Sequence, residues 1–270
     1  MQLTDTQVQQ FRSDGYTTVP AFFTKAEVTA MRQQVDQWRE AGLLRNVATA
    51  GDGQTPSQDC ENLQLVPLFP HGELFRALPF HPKVVAAVTD LIGSPACRIL
   101  DQLFYKPPRI GGATSWHTDN AYFRISDPLR GTAMWIALHD ASRENGTMKV
   151  IPRRFHIKHA HERDPFSDHH IRMVDADDRD AVHCEVKAGD VVFFCYGTPH
   201  ATGANPTEHA RCGVGIHFLN SDAGPDHLTE GSRSRGNVHM TGPLADNGLS
   251  EFGKDMTDVW AQEVTRLNAV

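Results

Sequence analysis

Cysteines are few in this sequence, and none are spaced as metal-binding pairs. Five cysteines are present, an odd number, and no Cys-x-x-Cys spacing occurs. A disulfide framework normally uses an even set, and a structural zinc site normally uses closely spaced thiolates. Because most of the five lie among apolar residues, the pattern predicts buried, reduced thiols and a cytoplasmic location. They are Cys60, Cys97, Cys184, Cys195 and Cys212.

Long apolar runs and an excess of basic charge are also missing. No stretch reaches the roughly 20 apolar residues that span a bilayer, and the chain does not start with a basic segment followed by an apolar one. We therefore expect neither a membrane association nor a signal peptide. A formal net charge of −7 disfavours nucleic acid as a partner. The expected partner is a small-molecule substrate, bound by a monomer or a homodimer.

The composition that is present, 40% hydrophobic and 22% charged over 270 residues, is typical of a globular protein with a sizeable core. Two capping boxes, Thr4–Gln7 and Thr24–Glu27, each place a hydroxyl three residues before an amide or carboxyl side chain and predict helix starts. Without internal repeats or a linker, we expect a single domain over 1–270. The first two helices should end near Gly15 and Gly42, and two more are predicted at about 83–92 and 255–267.

From residue 97 the sequence changes to short β-favouring runs separated by turn residues. Such runs predict a sandwich or a closed double-sheet barrel. The helical part should therefore occupy about 1–95, the β core about 97–220, and a C-terminal loop and helix 221–270. The predicted strands are 98–105, 133–138, 149–151, 182–186, 191–196 and 212–219, and the predicted loops are 43–62, 157–181 and 220–250.

Two His-x-Asp/Glu motifs occur, about the number that chance predicts for 15 His and 33 Asp and Glu. His183-Cys-Glu185 lies in a predicted strand and has no downstream partner, so a structural role is expected for it. His117-Thr-Asp119 follows a Gly-Gly turn and leads out of a strand. Alternation along a strand puts residues i and i+2 on one side, so we expect His117 and Asp119 to aim at the same point.

An imidazole and a carboxylate with no nearby thiolate are typical of an Fe(II) site, although His₂-carboxylate zinc sites also exist. The segment from Gly189 to His200 combines a turn, an apolar strand and a Gly-Thr-Pro bend. That bend would deliver His200 to the mouth of the barrel as a third ligand. A loop histidine without a role is the alternative for this residue.

Arg211 follows His200 by eleven residues and shares one strand face with Gly213, Gly215 and His217. A guanidinium can hold a carboxylate through two parallel hydrogen bonds, which fixes its orientation as well as its charge. Two glycines beside an inward arginine would leave space for a small bound acid. A surface charge is the alternative interpretation of Arg211.

Taken together, the His-x-Asp motif, the distal histidine and the arginine resemble the phytanoyl-CoA dioxygenase family of Fe(II)- and 2-oxoglutarate-dependent oxygenases. The resemblance covers most of residues 8 to 220. It implies a mainly β fold with flanking α-helices around a double-stranded β-helix, the jelly-roll core also seen in cupins. The motifs that carry the resemblance are Phe11-x-x-Asp14-Gly15-Tyr16, Phe104-Tyr-Lys-Pro-Pro108, Trp116-His-Thr-Asp119, Asn145-Gly146 and Ile151-Pro152.

The resemblance also implies roles for individual residues. His117, Asp119 and His200 would be the catalytic iron ligands, and Arg211 would bind the C5 carboxylate of 2-oxoglutarate, with O₂ as the other cosubstrate. Trp135 matches a position that contacts the cosubstrate in relatives, and Gln102 is a further candidate for such a contact. A core-filling role for Trp135 and an outward orientation for Gln102 are the alternatives.

The activity implied is hydroxylation of a C–H bond with release of succinate and CO₂. A carboxylate at position 119 favours hydroxylation over halogenation, because related halogenases have a small residue there; desaturation and ring formation remain open. Two further alternatives are a cupin-like metal isomerase or hydrolase without a keto acid, and a non-catalytic jelly-roll binding module.

The substrate is less defined, because Pro152-Arg-Arg-Phe-His156 departs from the Pro-Gly-Ser-His of many relatives. Phytanoyl-CoA itself is not supported. We expect a small metabolite or natural-product intermediate, with acidic groups bound by arginine or histidine and nonpolar parts packed on aromatic rings. A solvated surface is the alternative for the arginines. The candidate substrate residues are Phe104, Tyr122, Arg153 and His156, with Arg109 and Arg154 as further cations.

Overall fold

The computed structural model describes residues 2–223 and 238–269. Its core is two antiparallel sheets. The larger has the strand order β1-β11-β6-β13-β4-β3-β2 with β14 added to β4, and the smaller has the order β10-β7-β12-β5. Helices cover the outer face of the larger sheet. This is the jelly-roll core with flanking helices that the resemblance implied.

The first two helices begin where the capping boxes predict, whereas the last, predicted from residue 255, begins at Val259. Thr4 and Thr24 each accept a hydrogen bond from the backbone N–H three residues on, and both capping boxes are complete. Gly15 ends the first helix in a left-handed conformation, φ 85°, which glycine adopts without steric cost. The α-helices are α1 (Asp5–Asp14), α2 (Lys25–Glu40), α3 (Glu73–Ala77), α4 (Pro82–Ile92), α5 (Asn120–Phe123), α6 (Leu249–Phe252) and α7 (Val259–Asn268).

Every predicted strand corresponds to an observed one, though the 182–186 strand is shorter than expected. The strands are β1 (Tyr16–Val19), β2 (Arg45–Asn46), β3 (Leu63–Leu65), β4 (Ala96–Lys106), β5 (Thr114–His117), β6 (Gly131–Ala137), β7 (Met148–Val150), β8 (His161–Arg163), β9 (Ile171–Met173), β10 (Val182–His183), β11 (Val191–Cys195), β12 (His200–Thr202), β13 (Arg211–Asn220) and β14 (Val238–His239).

All three predicted loops contain paired strands, so those predictions were wrong in part; in 220–250 the strand is β14, which pairs with β4. β2 lies within 43–62 and pairs with β3, while β8 and β9 form a hairpin within 157–181. These strands are two or three residues long and are held by pairing across the sheet, so they leave little periodicity in the sequence. Of the predicted loop 220–250, residues 224–237 lie outside the described residues, and the remainder includes β14 and α6.

The last helix, α7, packs against α2, so the N-terminal and C-terminal parts of the described chain are in contact. The indole Nε1 of Trp260 on α7 donates to Glu27 Oε1 on α2 at 2.9 Å. Lys83 Nζ on α4 lies 2.9 Å from the other oxygen of the same carboxylate. One buried glutamate thus ties three helices together. None of the helices in 2–223 and 238–269 combines the length and hydropathy that crossing a membrane requires.

Strand register brings the residues of the site together. β13 lies between β6 and β4, so that Arg211 is opposite Lys106, and Gly215 is opposite both Gln102 and Trp135. In the smaller sheet, β12 pairs with β5 with His200 directly opposite His117. The two sheets therefore face each other across a cavity whose walls carry the residues predicted to do chemistry.

Candidate metal and cosubstrate site

His117, Asp119 and His200 converge on one point. His117 is the last residue of β5, and His200 is the first residue of β12. Asp119 does not lie on the strand: its backbone is helical, φ −62° and ψ −30°, at the start of α5. The expectation that strand alternation aligns His117 with Asp119 was therefore wrong. The chain leaves the strand after His117, and the turn into α5 returns the carboxylate to the same side.

The distances within this triad suit a single bound cation. One donor atom from each of the three side chains lies within 4.8 Å of the others. His200 Nε2 is 3.8 Å from Asp119 Oδ1, and the two imidazole rings are 4.1 Å apart between centroids. Among residues 2–223 and 238–269, no other group of three His, Cys, Asp or Glu side chains meets this criterion.

The remaining ring nitrogens of the two histidines are already engaged. His117 Nδ1 lies 2.8 Å from the carbonyl of Ser115, and His200 Nδ1 lies 3.0 Å from the carbonyl of Thr198. A carbonyl can only accept, so each Nδ1 carries the hydrogen and each Nε2 has a free lone pair. Backbone contacts of this kind fix the tautomer and the orientation of metal-binding histidines.

Burial shifts the pKa of all three triad residues toward their neutral forms. Burial raises the pKa of Asp119 to about 8 and lowers the pKa of both His117 and His200. Asp119 Oδ2 has no hydrogen-bond partner among the described residues. A divalent cation would offset the cost of the buried carboxylate and would bind neutral imidazoles, so the donor set fits Fe(II).

Arg211 is fully buried without a carboxylate partner. Its Nη2 donates to the carbonyl of Gly146, and its Nε and Nη1 have no partner in the described part of the chain. The guanidinium lies 5.5 Å from the ring centre of Trp135. Burial lowers the pKa of Arg211 to about 10, so the group is still a cation at neutral pH.

A second buried cation, Lys106, lies opposite Arg211 across β4 and β13. Its ammonium donates to the carbonyl of Gly112, and no described acidic side chain forms an ion pair with it. Burial, and then the charge of Arg211, hold the pKa of Lys106 well below its usual range. The sequence reasoning missed Lys106, although alternation along β4 places it on the same face as Gln102 and Phe104.

Trp135 is buried beside Arg211, and the absence of a side chain at Gly213 leaves room for its indole ring. A Cβ on Gly213 would lie 2.5 Å from the indole Nε1 of Trp135. The space at Gly213 is therefore filled by the indole, contrary to the expectation that it would hold a bound acid. Gln102 points inward rather than outward, and its amide nitrogen lies 3.1 Å from His217 Nε2.

The triad, Arg211 and Lys106 all line one cavity of about 1010 Å³. Phe104 and Tyr122, two of the predicted substrate residues, line it as well. Tyr122 also accepts a hydrogen bond through its hydroxyl from the backbone N–H of Ile171 on β9, at 3.0 Å. The β8–β9 hairpin thus lies over the metal-binding residues.

Arg153 and His156 do not line the cavity, so their prediction as substrate residues was wrong. The Arg153 side chain is 78% exposed and pairs with Asp14 at 2.8 Å, and the His156 side chain is exposed. Arg109 and Arg154 are likewise exposed, and each pairs with an acidic side chain. The segment after Ile151 turns toward α1, where the backbone N–H of Arg153 donates to the carbonyl of Asp14.

Several cavity residues carried no signal in the sequence. Gln64 on β3 is 3% exposed, and neither atom of its amide has a partner among the described residues. The His170 ring lies parallel to that of His117 at 6.3 Å. Arg124, in a left-handed turn after α5, is exposed and lines the mouth of the cavity, and no described acidic side chain forms an ion pair with it. They lie on segments without sequence periodicity, and only tertiary contacts bring them to the site.

The second His-x-Glu motif has the structural surroundings expected for it. His183 lies on β10, which pairs with β7, and Glu185 accepts a hydrogen bond from the backbone N–H of Arg143 at 3.0 Å. Neither residue lines the cavity.

Comparison with known proteins agrees with this geometry. The sequence model of the phytanoyl-CoA dioxygenase (PhyH) family matches residues 11–213, and the chain belongs to this family. A probable phytanoyl-CoA dioxygenase of Caenorhabditis elegans is 28% identical over 208 residues, 70% of this chain and 66% of that one. The ectoine dioxygenase of Stutzerimonas stutzeri (strain A1501) is 24% identical, covering 76% of this chain and 72% of that one.

Among solved structures, the non-heme alpha-ketoglutarate-dependent carbocyclase SnoK from nogalamycin biosynthesis superposes with a TM-score of 0.67. It is 23% identical, and the match covers 81% of this chain and 85% of that one. At this identity the likeness shows the shared fold.

Proposed function

We propose that this protein is an Fe(II)- and 2-oxoglutarate-dependent dioxygenase that hydroxylates a C–H bond of a small metabolite or natural-product intermediate. The observation that carries the proposal is one cavity that joins a His-Asp-His triad to a buried arginine without a carboxylate partner. A metal site alone would suit many enzymes. The buried, unpaired cation beside it calls for an acidic ligand.

His117, Asp119 and His200 would hold the metal through Nε2, a carboxylate oxygen and Nε2. When bound, iron with 2-oxoglutarate and O₂ supplies the oxidising chemistry, releasing succinate and CO₂ and leaving a hydroxyl group on the substrate. The protein's own contribution is burial, which lowers the pKa of both histidines and keeps them neutral, and the contacts with Ser115 and Thr198, which orient the two rings. Apolar residues around the site also limit water.

Arg211 and Lys106 would together bind the distal carboxylate of 2-oxoglutarate. Burial, and then the charge of Arg211, lower the pKa of Lys106, and an anion bound between the two side chains would offset both effects. Arg211 has two unpartnered N–H groups for such a ligand, and Trp135 would pack against the carbon chain. Gln102 is occupied by His217, so we no longer assign it to the cosubstrate.

Hydroxylation is proposed over halogenation because Asp119 fills the position that a halide would need. The similarity to a carbocyclase keeps ring formation as the main competing outcome. Substrate positioning decides between them, since the substrate's reacting carbon must lie beside the metal for either reaction.

The substrate side of the cavity combines apolar and polar groups. Phe104 and Tyr122 provide aromatic surface, and the buried amide of Gln64 has both a free donor and a free acceptor. An unpaired buried polar group costs about 1–3 kcal/mol, a cost that a polar group on the substrate would remove. Arg124 at the mouth would attract an acidic group. We therefore propose a polar, acidic metabolite with a nonpolar portion.

Location and assembly follow as further proposals. All five cysteines are free, and four of them are buried, which suits a reducing compartment and supports a cytoplasmic location. The larger sheet, the smaller sheet and the helices enclose one cavity, and we propose a single domain that acts as a monomer or a homodimer.

Anaerobic titration with Fe(II) tests the metal site. We expect one Fe(II) per chain, lost in His117→Ala and Asp119→Ala. His183→Ala, which alters the other His-x-acid motif, is the matched control and should bind Fe(II) like the wild type. A wild-type protein that binds no Fe(II) would contradict the enzyme proposal.

A panel of small acidic metabolites, scored for substrate-stimulated succinate release, tests the reaction. Succinate should form only with 2-oxoglutarate, Fe(II) and O₂, and mass spectrometry of the product should show one added oxygen. Turnover without 2-oxoglutarate would favour the metal isomerase or hydrolase. Tight binding of a metabolite that Asp119→Ala and Arg211→Ala leave unchanged would favour the non-catalytic module.

A further inference from the structure

His217 lies on the same face of β13 as Arg211 but at the metal end of the cavity, and its ring is 4% exposed. Its Nδ1 is 3.7 Å from Asp119 Oδ2. Neither atom has a hydrogen-bond partner among the described residues. The two unsatisfied atoms face each other, and a displacement of less than 1 Å would bring them within hydrogen-bond distance.

Gln102 determines which nitrogen of His217 carries the hydrogen. Its amide nitrogen is 3.1 Å from His217 Nε2, and an amide NH₂ can only donate. His217 Nε2 must then accept, and the hydrogen of the neutral ring is on Nδ1, directed at Asp119. The opposite orientation of the amide would place the lone pair of Nδ1 against a carboxylate oxygen, an electrostatically unfavourable arrangement.

The ring of His217 is also restrained from its sides. Phe123 on α5 packs against it at 5.2 Å between ring centres, and Tyr196 packs against it at 5.8 Å. Phe123 is four residues after Asp119, so the turn that positions the carboxylate also positions one side of this aromatic cage. His217 is therefore held where it can act on only one of the two carboxylate oxygens.

We propose that His217 is a positioning residue for Asp119, and that it receives its own orientation from Gln102. By donating to Oδ2, His217 would leave Oδ1, the oxygen nearer His200, as the single metal-binding atom. A carboxylate free to rotate could present both oxygens to the cation and occupy an additional coordination position. The inference rests on the proposed role of Asp119 as a metal ligand and extends it to the partners of that ligand.

The test is the affinity for Co(II), measured by calorimetry under anaerobic conditions, together with the visible absorption of bound Co(II). Co(II) is a spectroscopic substitute for Fe(II) whose absorption reports coordination number. In His217→Phe, which keeps a ring but removes the donor, we expect a 10- to 100-fold loss of affinity, the range typical for partners of metal ligands, and a changed spectrum. In His217→Asn, whose amide nitrogen can replace Nδ1, affinity should return to within about threefold of wild type, a rescue that only a donor role predicts.

Tyr196→Phe is the control, because it alters the same aromatic cage and removes a hydroxyl without a hydrogen-bond partner among the described residues; its Co(II) affinity and spectrum should not change. Gln102→Leu should reproduce part of the His217→Phe effect and provides a second route if His217→Phe fails to fold. Wild-type Co(II) binding in both His217→Phe and Gln102→Leu, with binding lost in Asp119→Ala, would overturn this inference alone. Absence of binding in the wild type would overturn the proposed function itself.

Discussion

At the scale of single residues, the decisive groups are buried ionisable side chains without a partner of opposite charge among residues 2–223 and 238–269. No described carboxylate pairs with Arg211 or Lys106, and Oδ2 of Asp119 has no described hydrogen-bond partner. Burying an ion is energetically costly unless a bound ligand supplies a partner of opposite charge. These residues therefore indicate what is bound more directly than the shape of the cavity does.

Arg211→Met is expected to weaken 2-oxoglutarate binding about 10- to 100-fold, because it removes charge-assisted hydrogen bonds worth roughly 1.5–3 kcal/mol. Lys106→Met should have a smaller effect of the same sign, about tenfold. Calorimetric titration of the anaerobic metal complex with 2-oxoglutarate provides the measurement.

Arg153→Met serves as the matched control for those two variants, since this arginine is exposed and pairs with Asp14 outside the cavity. Its affinity for 2-oxoglutarate should equal that of the wild type. Equal effects of Arg153→Met and Arg211→Met would show that the change reflects overall charge, and would contradict the assignment of Arg211.

At the scale of elements, the glycines of β13 leave room for the side chains that pack against this strand. Gly213→Ala would place a methyl group within 2.6 Å of three atoms of the Trp135 indole, closer than packing allows. We expect a loss of about 1–3 kcal/mol in the free energy of unfolding, as for other overpacked sites, and weaker 2-oxoglutarate binding as the indole shifts. Denaturant titration measures the first effect and calorimetry the second.

Gly215→Ala provides a graded comparison on the same strand. Its Cβ would lie 3.2 Å from Cε2 at the end of the Phe104 ring, a contact that a small side-chain movement can relieve. Its loss of stability should be smaller than that of Gly213→Ala. The reverse order would contradict the role given to the indole.

A second element-scale prediction concerns Glu27, which connects α2, α4 and α7. Burial by itself would raise its pKa, but hydrogen bonds from His81, Lys83, Thr24 and Trp260 hold the pKa well below the ordinary value of 4.5. A carboxyl whose folded-state pKa is lowered stabilises the fold above its unfolded-state pKa, and this contribution is lost as pH falls toward the folded-state value.

Glu27→Gln should therefore lower the free energy of unfolding by about 3 kcal/mol at pH 7, with the difference from wild type decreasing below a pH of about 4.5. Urea titrations at pH 7 and pH 3.5 provide the measurement. Glu40→Gln, at the exposed end of α2, should have little effect at either pH. A Glu27→Gln deficit that is equally large at both pH values would contradict the ion-pair explanation.

At the scale of the whole molecule, the residues proposed to hold the metal and the cosubstrate lie between the two sheets, so ligands should stabilise the entire fold. At a ligand concentration one hundred times the dissociation constant, mass action adds about 2.7 kcal/mol to the free energy of unfolding. We expect Co(II) to raise the Tm, 2-oxoglutarate to raise it further, and a chelator to reverse both increases in a thermal scan. In Arg211→Met, we expect Co(II) to raise the Tm and 2-oxoglutarate to add no further increase. That result would support separate metal-binding and cosubstrate-binding parts of the site.

Much of the fold and the centre of the site could be predicted from local sequence. Capping boxes and terminal glycines mark the first two helices because those signals act within one turn of the chain. The longer strands are marked by β-favouring residues between turns. His117, Asp119, His200 and Arg211 were predicted from their residue types and from spacings that match the family, and the structure brings all four to one cavity.

What the sequence did not determine depends on contacts between distant segments. Arg153 and His156 follow a strand that borders the site, yet the chain turns away toward α1, and only the three-dimensional path shows this. Gln64 lies on a strand of three residues and His170 lies just before β9, so no periodic pattern marks either position. The sequence by itself thus determined the class of chemistry, because the types of ligand and their spacing along the chain can be compared with a family before the fold is known. Tertiary structure decided which groups enclose the substrate and which histidine faces the free oxygen of Asp119, because packing between sheets brings together residues that are about 100 positions apart.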